Sequence, residues 1–319
     1  MRHAAKFKRR AALAFTASFF VVSTLLFMVC VLKFNTKHSP DRTEPFVTLV
    51  NYTIDYYPRP NASIQCVQTK RLEPLFTMCI HDVKVDRTIS DEIKRIGTWE
   101  ADVMAKIRDC FEEFPDATLF DIGANIGVHS LYAAALGKPA VAVEPWRENW
   151  PILYKSIRMN HFEEQLTYLP YALSDERKIV TMSKNEKNLG MGTNGNAYIL
   201  GPKQPAKSVT ELQVQAVLWD DLKAALHTNT VIAKIDVETY ECHVIRGGRQ
   251  FLTDVFVPYI IMEYQFVNHF AVDKQCLADM HDILQSLHYA PYKLTGEKIE
   301  NLKSHSRGSL INIVWKREQ

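Results

Sequence analysis

A short run of small and polar residues, DIGANIG, follows an apolar segment and precedes a helical pattern that begins near Val128. Gly123 and Gly127 allow a tight turn here and let backbone N–H groups approach a ligand closely. Only two glycines are present, in a G-x-x-x-G frame, so the run is not the G-x-G-x-x-G dinucleotide fingerprint. The pattern predicts a ligand-binding loop, and a purely structural strand-to-helix turn is the alternative.

Glu144 follows the next apolar segment, AVAV, and lies 21 residues beyond Gly123. In doubly wound nucleotide sites, an acid about 20 residues after the glycine loop binds the two hydroxyls of a ribose. A carboxylate suits that role because each of its oxygens can accept a hydrogen bond. Glu144 is therefore predicted to bind a ribose, against the alternative of a solvated acid at the end of a strand.

Three further acids follow later apolar segments: Asp236, Glu238 and Glu263. The carboxyl ends of parallel strands are where open α/β sheets bind ligands. Period-two alternation places Asp236 and Glu238 on the same side if their strand continues that far. Lys234 stands inside an apolar strand and is expected to need an acidic partner. The acids are candidates for a general base, and the same oxygens could instead hold a divalent cation.

Alternating strands and helices position these residues, which predicts a parallel sheet with helices on both faces. The last two predicted strands indicate an antiparallel edge. The predicted strands are Thr118–Ile122, Ala140–Val143, Leu166–Leu173, Val231–Ile235, Val257–Met262, Tyr292–Leu294 and Leu310–Trp315. The predicted helices are Val128–Leu136, Trp150–Asn160, Tyr240–Leu252 and Cys276–Leu287.

Two segments flank this pattern. Ser90 is predicted to cap a helix whose apolar residues recur as far as Phe114, before Pro115 stops it. Residues 183–205 are rich in Gly, Asn and Lys and are predicted to be an inserted loop that contributes to the acceptor site.

The N-terminus differs in composition from the rest of the 319-residue chain. The formal net charge is +2, yet the first 37 residues hold seven Lys or Arg and no acid. Between these cations, Ala11–Leu32 contains no charged residue and is long enough to cross a hydrocarbon core of about 30 Å. A signal peptide is the alternative, but its apolar region is usually only about 7–15 residues. The basic flank is expected to stay in the cytosol, which predicts a single-pass type II protein of the Golgi or endoplasmic reticulum.

The predicted organisation is a cytosolic tail (1–10), a transmembrane signal-anchor (11–32), a lumenal stem (33–87) and a folded domain (88–319). Asn51 and Asn61 begin N-glycosylation sequons in the stem. Five cysteines follow the span, so at least one has no intramolecular partner, and Cys66 and Cys79 are candidates for a bridge. No zinc-ligand spacing occurs, so no metal site of that kind is predicted. The nearly balanced charge gives no support to a nucleic-acid partner.

Together, the segments DIGANIGVHSL, AVEP, YALSD, LWDDL, AKIDVETYECHVIRGG and YIIMEY resemble the FkbM family of S-adenosylmethionine-dependent methyltransferases. The resemblance extends from about Ile96 to Val314 and includes the segments GTWE and INIVWKR. It implies an α/β, Rossmann-like, seven-stranded methyltransferase fold with a doubly wound, mostly parallel sheet. It also implies S-adenosylmethionine as methyl donor and O-methylation of a hydroxyl-bearing acceptor such as a glycan or a small molecule.

The resemblance also implies roles for individual residues. The expected cofactor-binding residues are Asp121, Gly123, Ala124, Asn125, Gly127, Glu144, Ala172 and Leu173. Within this set, the loop residues would line the methionine and ribose, Glu144 would bind the ribose hydroxyls, and the last two would lie near the adenine. Asp236 is the expected general base, with Glu238 or Glu263 orienting the acceptor or replacing it as base.

One departure from the family pattern is Thr239, because the family usually has glycine after the acidic DVE segment. A β-branched residue is strained there if the backbone needs a positive φ. This departure keeps a second interpretation open, a non-catalytic FkbM-like binding or trafficking module. A Golgi glycosyltransferase is a third, because type II topology, a stem and sequons are typical of that class. The glycine loop with its spaced Glu144 argues against the third interpretation.

Overall fold

The computed structural model describes residues 64–184, 197–199, 210–226, 228–264, 273–302 and 311–318. The predicted span Ala11–Leu32, both sequons and most of the predicted 183–205 loop lie outside these ranges. Within the ranges, no helix is both long enough and apolar enough to cross a membrane.

The elements alternate along the chain much as the hydrophobic pattern predicts. The strands are β1 (Gln65–Gln68), β2 (Thr77–Ile80), β3 (Thr118–Ile122), β4 (Ala140–Val143), β5 (Leu166–Leu169), β6 (Ala172–Leu173), β7 (Lys178–Lys184), β8 (Ala197–Ile199), β9 (Thr210–Val217), β10 (Thr230–Ile235), β11 (Phe256–Tyr264), β12 (Tyr289–Lys293) and β13 (Ile311–Arg317). The helices are α1 (Ile89–Ile96), α2 (Ala101–Glu113), α3 (Val128–Ala135), α4 (Trp150–Asn160), α5 (Glu241–Gly247), α6 (Arg249–Asp254) and α7 (Lys274–Ser286), with a 3₁₀ helix at Trp219–Ala225.

A seven-stranded sheet forms the centre of the fold, in the order β12-β13-β11-β10-β3-β4-β5. Strands β5, β4, β3, β10 and β11 pair in parallel, and β13 runs antiparallel to both of its neighbours. The α/β, mostly parallel sheet implied by the family resemblance is therefore present. The predicted antiparallel edge is confirmed: the last two strands lie beside β11, with β13 antiparallel to it and β12 outermost.

Strand β3 is buried on both faces because helices cover both sides of the sheet. Its successive side chains alternate between two apolar clusters, Phe120 in one and Leu119 in the other, and neither is exposed to solvent. Full burial of such a side chain contributes about 1.5–3 kcal/mol. This double burial favours apolar side chains along the strand, and Thr118 and Asp121 are its buried polar residues.

The folded part of the chain begins within the predicted stem. Strands β1 and β2 form an antiparallel hairpin in which Cys66 and Cys79 face each other and are joined by a disulfide. The hairpin is bonded to α4, because the amide of Cys79 donates to Ser156 Oγ at 2.9 Å and that of Thr77 donates to Asn160 Oδ1 at 2.8 Å. Residues from Ile64 onward thus pack on the domain, ahead of the boundary predicted at residue 88.

The helix predicted from Ser90 to Phe114 is two helices, α1 and α2, separated at Gly97. The cap also differs from the prediction. Asp86 Oδ1 accepts from the amides of Thr88 and Ile89 at 3.1 Å, and Ser90 Oγ donates to Asp86 Oδ2 at 2.6 Å. An acidic side chain is the stronger acceptor for the first amides of a helix, since its charge also suits the helix dipole.

The strand predicted at Leu166–Leu173 is divided at Pro170 into β5 of the main sheet and β6 of a second sheet. That second sheet has the order β6-β9-β7-β8, and its long strands β7 and β9 are not among the predicted elements. Alternation in β7 is the missed signal, because Val180 and Met182 are buried while Ile179 is 63% exposed. The predicted helix Tyr240–Leu252 is likewise divided, into α5 and α6 at Gly248.

Cysteine pairing agrees with the odd count. Cys66 bonds Cys79, and Cys242 at the start of α5 bonds Cys276 at the start of α7. Cys110 is the unpaired cysteine of the described residues, and burial raises the pKa of its thiol to about 12. The prediction that one of the five has no partner is confirmed.

Candidate active site

The crevice at the carboxyl ends of β3 and β10 is the point where the strand order reverses. From β3 the sheet continues to β4 and β5 on one side and to β10 and β11 on the other. Open α/β sheets bind ligands at such a switch point. The two strand ends are bonded directly, since the amide of Asp236 donates to the carbonyl of Ile122 at 3.0 Å.

Gly123 lets the loop after β3 lie directly against the loop after β10. Its φ is +84°, and a Cβ atom on it would be 1.8 Å from the carbonyl oxygen of Asp236. The amides of Gly123 and Ala124 both donate to the carbonyl of Val143, at 2.9 and 3.1 Å. The loop is thus held between β4 and β10, and no side chain fits at its first glycine.

The remaining loop residues are bonded inward as well. The amide of Gly127 donates to Ala124 O at 2.7 Å, and a Cβ on Gly127 would be 2.2 Å from Leu153 Cδ1. The amide of Asn125 donates to Glu144 Oε2 at 2.9 Å. The loop was expected to offer these N–H groups to a ligand, but in this structure they bond within the protein.

Glu144 holds the loop through its carboxylate. One oxygen accepts from the amide of Asn125, and the other accepts from the amide of Trp146 at 2.7 Å. Burial raises the pKa of Glu144 to about 7, against the opposing effect of these hydrogen bonds. Beside it, Ala172 packs with Trp146 in a small apolar cluster, and Leu173 lies in the main core.

Asp121, predicted to line the cofactor, has its side chain fully inside the protein. Its Oδ2 accepts from the amide of Ser130 at 3.0 Å and from Ser130 Oγ at 2.6 Å, so it anchors the first turn of α3. Burial raises its pKa, although the positive charge of Lys234 opposes that rise. Its Oδ1 has no hydrogen-bond partner within the described part of the chain.

Lys234 has the acidic partner that its position in an apolar strand predicts. Its Nζ lies 3.1 Å from Asp236 Oδ2, and its side chain is only 5% exposed. Burial lowers its pKa, but the negative charges of Asp236, Asp121 and Glu100 outweigh burial and raise the pKa above its ordinary value. Lys234 is therefore a buried cation that several carboxylates share.

Asp236, Glu241 and Glu263 bring carboxylate oxygens within 4.8 Å of one another. Burial, followed by the charges of nearby acids, raises the pKa of Glu263 to about 10. Burial also raises the pKa of Glu241 to about 8, and Glu241 Oε1 accepts from the amide of Val237 at 3.0 Å. The raised pKa favours the protonated form of Glu263, which suits a hydrogen-bond donor better than a base.

The backbone turns sharply after Asp236. Strand β10 ends at Ile235, and Glu238 and Thr239 both have positive φ, +56° and +77°. The period-two argument that placed Glu238 beside Asp236 therefore does not apply. Thr239 has the left-handed conformation in which a β-branched residue is strained, as its departure from the family glycine predicts.

Sequence analysis assigned no role to four residues that the structure brings to this crevice: Glu100, His129, Glu241 and Asn312. Glu100 Oε1 accepts from Asn312 Nδ2 at 3.2 Å, and its Oε2 lies 3.4 Å from His129 Nε2. Strand pairing places Asn312 opposite Glu263. All four lie in segments that carry the family resemblance, but Glu100, His129 and Asn312 meet only through the tertiary fold.

Gly123→Ala is expected to lower the free energy of unfolding by about 3 kcal/mol or more, because backbone strain and a clash with a fixed carbonyl add together. Gly137→Ala is the matched control, since Gly137 has φ +73° but no atom within 4 Å of the place that a Cβ would take. The control is expected to lose only about 1 kcal/mol. Urea unfolding measures both, and equal losses would show that the contact with Asp236 is unimportant.

Glu263→Gln is expected to reduce the dependence of stability on pH. Because folding raises the pKa of Glu263 from 4.5 to about 10, its stabilising contribution is complete below pH 4.5 and is lost as pH rises toward 10. Between pH 5 and 8, the wild type should lose up to about 1.4 kcal/mol per pH unit more than the variant. Urea unfolding across this range measures the difference, with the exposed Glu300→Gln as control. Parallel profiles for wild type and Glu263→Gln would contradict the assignment.

Comparison with known proteins identifies the family. The model of the methyltransferase FkbM domain matches residues 121–294, more than half of the chain, and no curated protein sequence is a significant match.

Three solved structures show distant likeness. The methyltransferase FkbM from Methylobacillus flagellatus KT is 15% identical over 63% of this chain and 44% of that chain, with a TM-score of 0.38. Precorrin-6y C5,15-methyltransferase from Geobacter metallireducens GS-15 is 10% identical over 64% and 81%, with a TM-score of 0.32. Monomeric WbdD is 11% identical over 72% and 45%, with a TM-score of 0.40.

This chain therefore spans less than half of the Methylobacillus structure, and these likenesses are too distant to assign a substrate. The family match begins at Asp121, near the end of β3, and extends beyond Glu263 to just past the end of β12. It thus includes the whole crevice apart from Glu100 and Asn312. The chain belongs to the FkbM methyltransferase domain family.

Proposed function

We propose that this protein is an S-adenosylmethionine-dependent methyltransferase that methylates a hydroxyl group on a glycan or small-molecule acceptor. The observation that carries the proposal is the contact between Gly123 and the carbonyl of Asp236 at the switch point of the sheet. This contact holds the glycine loop after β3 beside Asp236, which follows β10. The chain in which it occurs belongs to a methyltransferase family. That arrangement would bring a methyl donor and an acceptor hydroxyl together.

The residues present suit a cationic cofactor. Glu100 Oε2 and Asp121 Oδ1 are buried carboxyl oxygens without hydrogen-bond partners among the described residues. Glu144 would hold the ribose hydroxyls, in exchange for one of its amide partners, and Ala172 and Leu173 would lie near the adenine. When bound, S-adenosylmethionine supplies an electrophilic methyl group on a sulfonium.

The chain's own contribution is to position the acceptor and accept its proton. In-line transfer depends on holding the two reactants in attack geometry. A hydroxyl acceptor must also lose its proton to a base within hydrogen-bond reach. Asp236 is the proposed base: Lys234 Nζ holds its Oδ2 at 3.1 Å, so Oδ1 is the atom proposed to receive the proton.

The compartment is part of the same proposal. The predicted anchor Ala11–Leu32 with its basic flank would place the folded domain in the lumen of the Golgi or endoplasmic reticulum. Two disulfides within the folded domain support this placement, because such bonds persist in oxidising compartments. An acceptor of the secretory pathway, such as a glycan, fits this location.

The test is binding followed by turnover, with the full chain in mild detergent. Calorimetric titration is expected to show saturable binding of S-adenosylhomocysteine and none of a nucleotide-sugar panel. Incubation with labelled S-adenosylmethionine and a lumenal extract is expected to yield a labelled product. Failure to bind S-adenosylhomocysteine would refute the proposed cofactor.

Asp236→Asn is expected to keep cofactor binding and to lose about 10²–10⁴-fold in kcat, the usual contribution of a positioned base. The exposed Asp282→Asn on α7 is the control and should behave as wild type. Full turnover by Asp236→Asn would show that another group removes the proton.

The backbone at Thr239 favours a second candidate, a non-catalytic binding or trafficking module. Thr239 has φ +77° in the turn that follows the proposed base, where a β-branched residue is strained and glycine would not be. Saturable cofactor binding without methylation of any acceptor in a broad glycan library would favour this candidate.

Thr239→Gly is expected to raise the free energy of unfolding by about 1 kcal/mol, because glycine adopts positive φ without steric cost. Thermal or urea unfolding measures the gain. If the methyltransferase proposal holds, the variant should transfer methyl groups at least as fast as wild type. A loss of stability would show that the threonine side chain makes contacts that outweigh its strain.

A further inference from the structure

Glu100 lies at the crevice and has a backbone conformation that is rare for residues other than glycine. It immediately precedes α2 and has φ +45°, the left-handed region. Its Oε1 accepts from Asn312 Nδ2 at 3.2 Å, and Asn312 pairs with Glu263 across β13 and β11. A carboxylate from the N-terminal helices is thereby placed at the same sheet edge as Asp236, after β10, and Glu263, near the end of β11.

The second oxygen of Glu100 faces a buried imidazole. Glu100 Oε2 and His129 Nε2 lie 3.4 Å apart, and neither has a hydrogen-bond partner in the described ranges. The His129 side chain is only 4% exposed, and burial lowers its pKa well below the ordinary value, so the ring is neutral. A neutral imidazole carries no positive charge to balance the negative charge of a carboxylate. Glu100 Oε2 therefore still lacks a cation.

The residues around Glu100 also provide too little positive charge for the carboxylates that are present. Lys234 is the cation that electrostatically faces Asp121, Asp236 and Glu100 together. Asp236 pairs with it directly, and Asp121 is satisfied by Ser130 through one oxygen. Glu100 has no paired cation: its Oε2 is a buried atom, while 21% of the side chain as a whole is exposed. Of these three carboxylates, it is the one placed to take a cation from the crevice.

We propose that Glu100, oriented by Asn312 and His129, binds the ammonium group of the amino-acid part of the cofactor. This inference rests on the proposed function. An ammonium has three N–H donors and can use the oxygen that lacks a partner, whereas a sulfonium has no N–H to donate. Hydrogen bonds between charged groups are the strong ones, so this contact anchors the cofactor's amino-acid end.

A comparison of two ligands tests the assignment on the full chain. S-adenosylhomocysteine carries the ammonium, and 5′-methylthioadenosine has the same nucleoside and sulfur without it. Glu100→Gln keeps the size of the side chain and its contact with Asn312. Calorimetry should show that the variant binds S-adenosylhomocysteine about 10- to 100-fold more weakly, the range for a lost charged hydrogen bond. Binding of 5′-methylthioadenosine should be unchanged.

The matched control is Glu112→Gln, an exposed position on the same helix, which should alter neither affinity. Equal affinities of wild type and Glu100→Gln for S-adenosylhomocysteine would overturn the ammonium assignment. Equal weakening of both ligands would also overturn it, because Glu100 would then act on the shape of the site. If the wild type bound neither ligand, the proposed cofactor itself would be wrong, which separates the two failures.

Discussion

The buried ion pair between Lys234 and Asp236 is the interaction on which the crevice depends. A lysine in a fully covered parallel strand would cost several kcal/mol without partners, because burial removes its hydration. Here the cost is offset by carboxylates from three directions: Asp236 beyond the same strand, Asp121 on the neighbouring strand β3, and Glu100 ahead of α2. Register pairs Lys234 with Asp121 directly. The central strands and the N-terminal helices are thus linked electrostatically at the place where chemistry is proposed.

Hydrophobic pattern was enough to predict the central strands, and glycine spacing indicated the loop that lies at the switch point of the sheet. Strands β3 and β4 and helix α4 have the predicted boundaries, because each is an uninterrupted apolar run or a clear helical repeat. An acidic partner for Lys234 could also be predicted, because the free-energy cost of an unpaired lysine charge depends only on its burial. Local pattern was insufficient where partners are distant in sequence: Glu100 meets His129 and Asn312 only after α2, α3 and β13 assemble.

The roles of the loop residues were the hardest to predict from the sequence. Their types are those of a binding loop, yet their amides and the carboxylate of Glu144 bond to one another in this structure. The spacing of these residues along the chain indicates which groups meet at the sheet edge. It does not indicate whether each carboxylate oxygen faces a ligand or the loop. Asp121 shows this limit, since its acid lies at the expected strand position but points beneath α3 and anchors Ser130.

The bridge between Cys242 and Cys276 encloses β11 and Glu263 in a covalent ring, with the two sulfurs 34 residues apart in sequence. A single break in the chain anywhere within this ring would leave both pieces attached to each other. Glu263, near the end of β11, would therefore remain tethered to α5 even after such a nick. In the proposed lumenal location, where proteases are present, this topology gives the domain durability that is independent of its noncovalent stability.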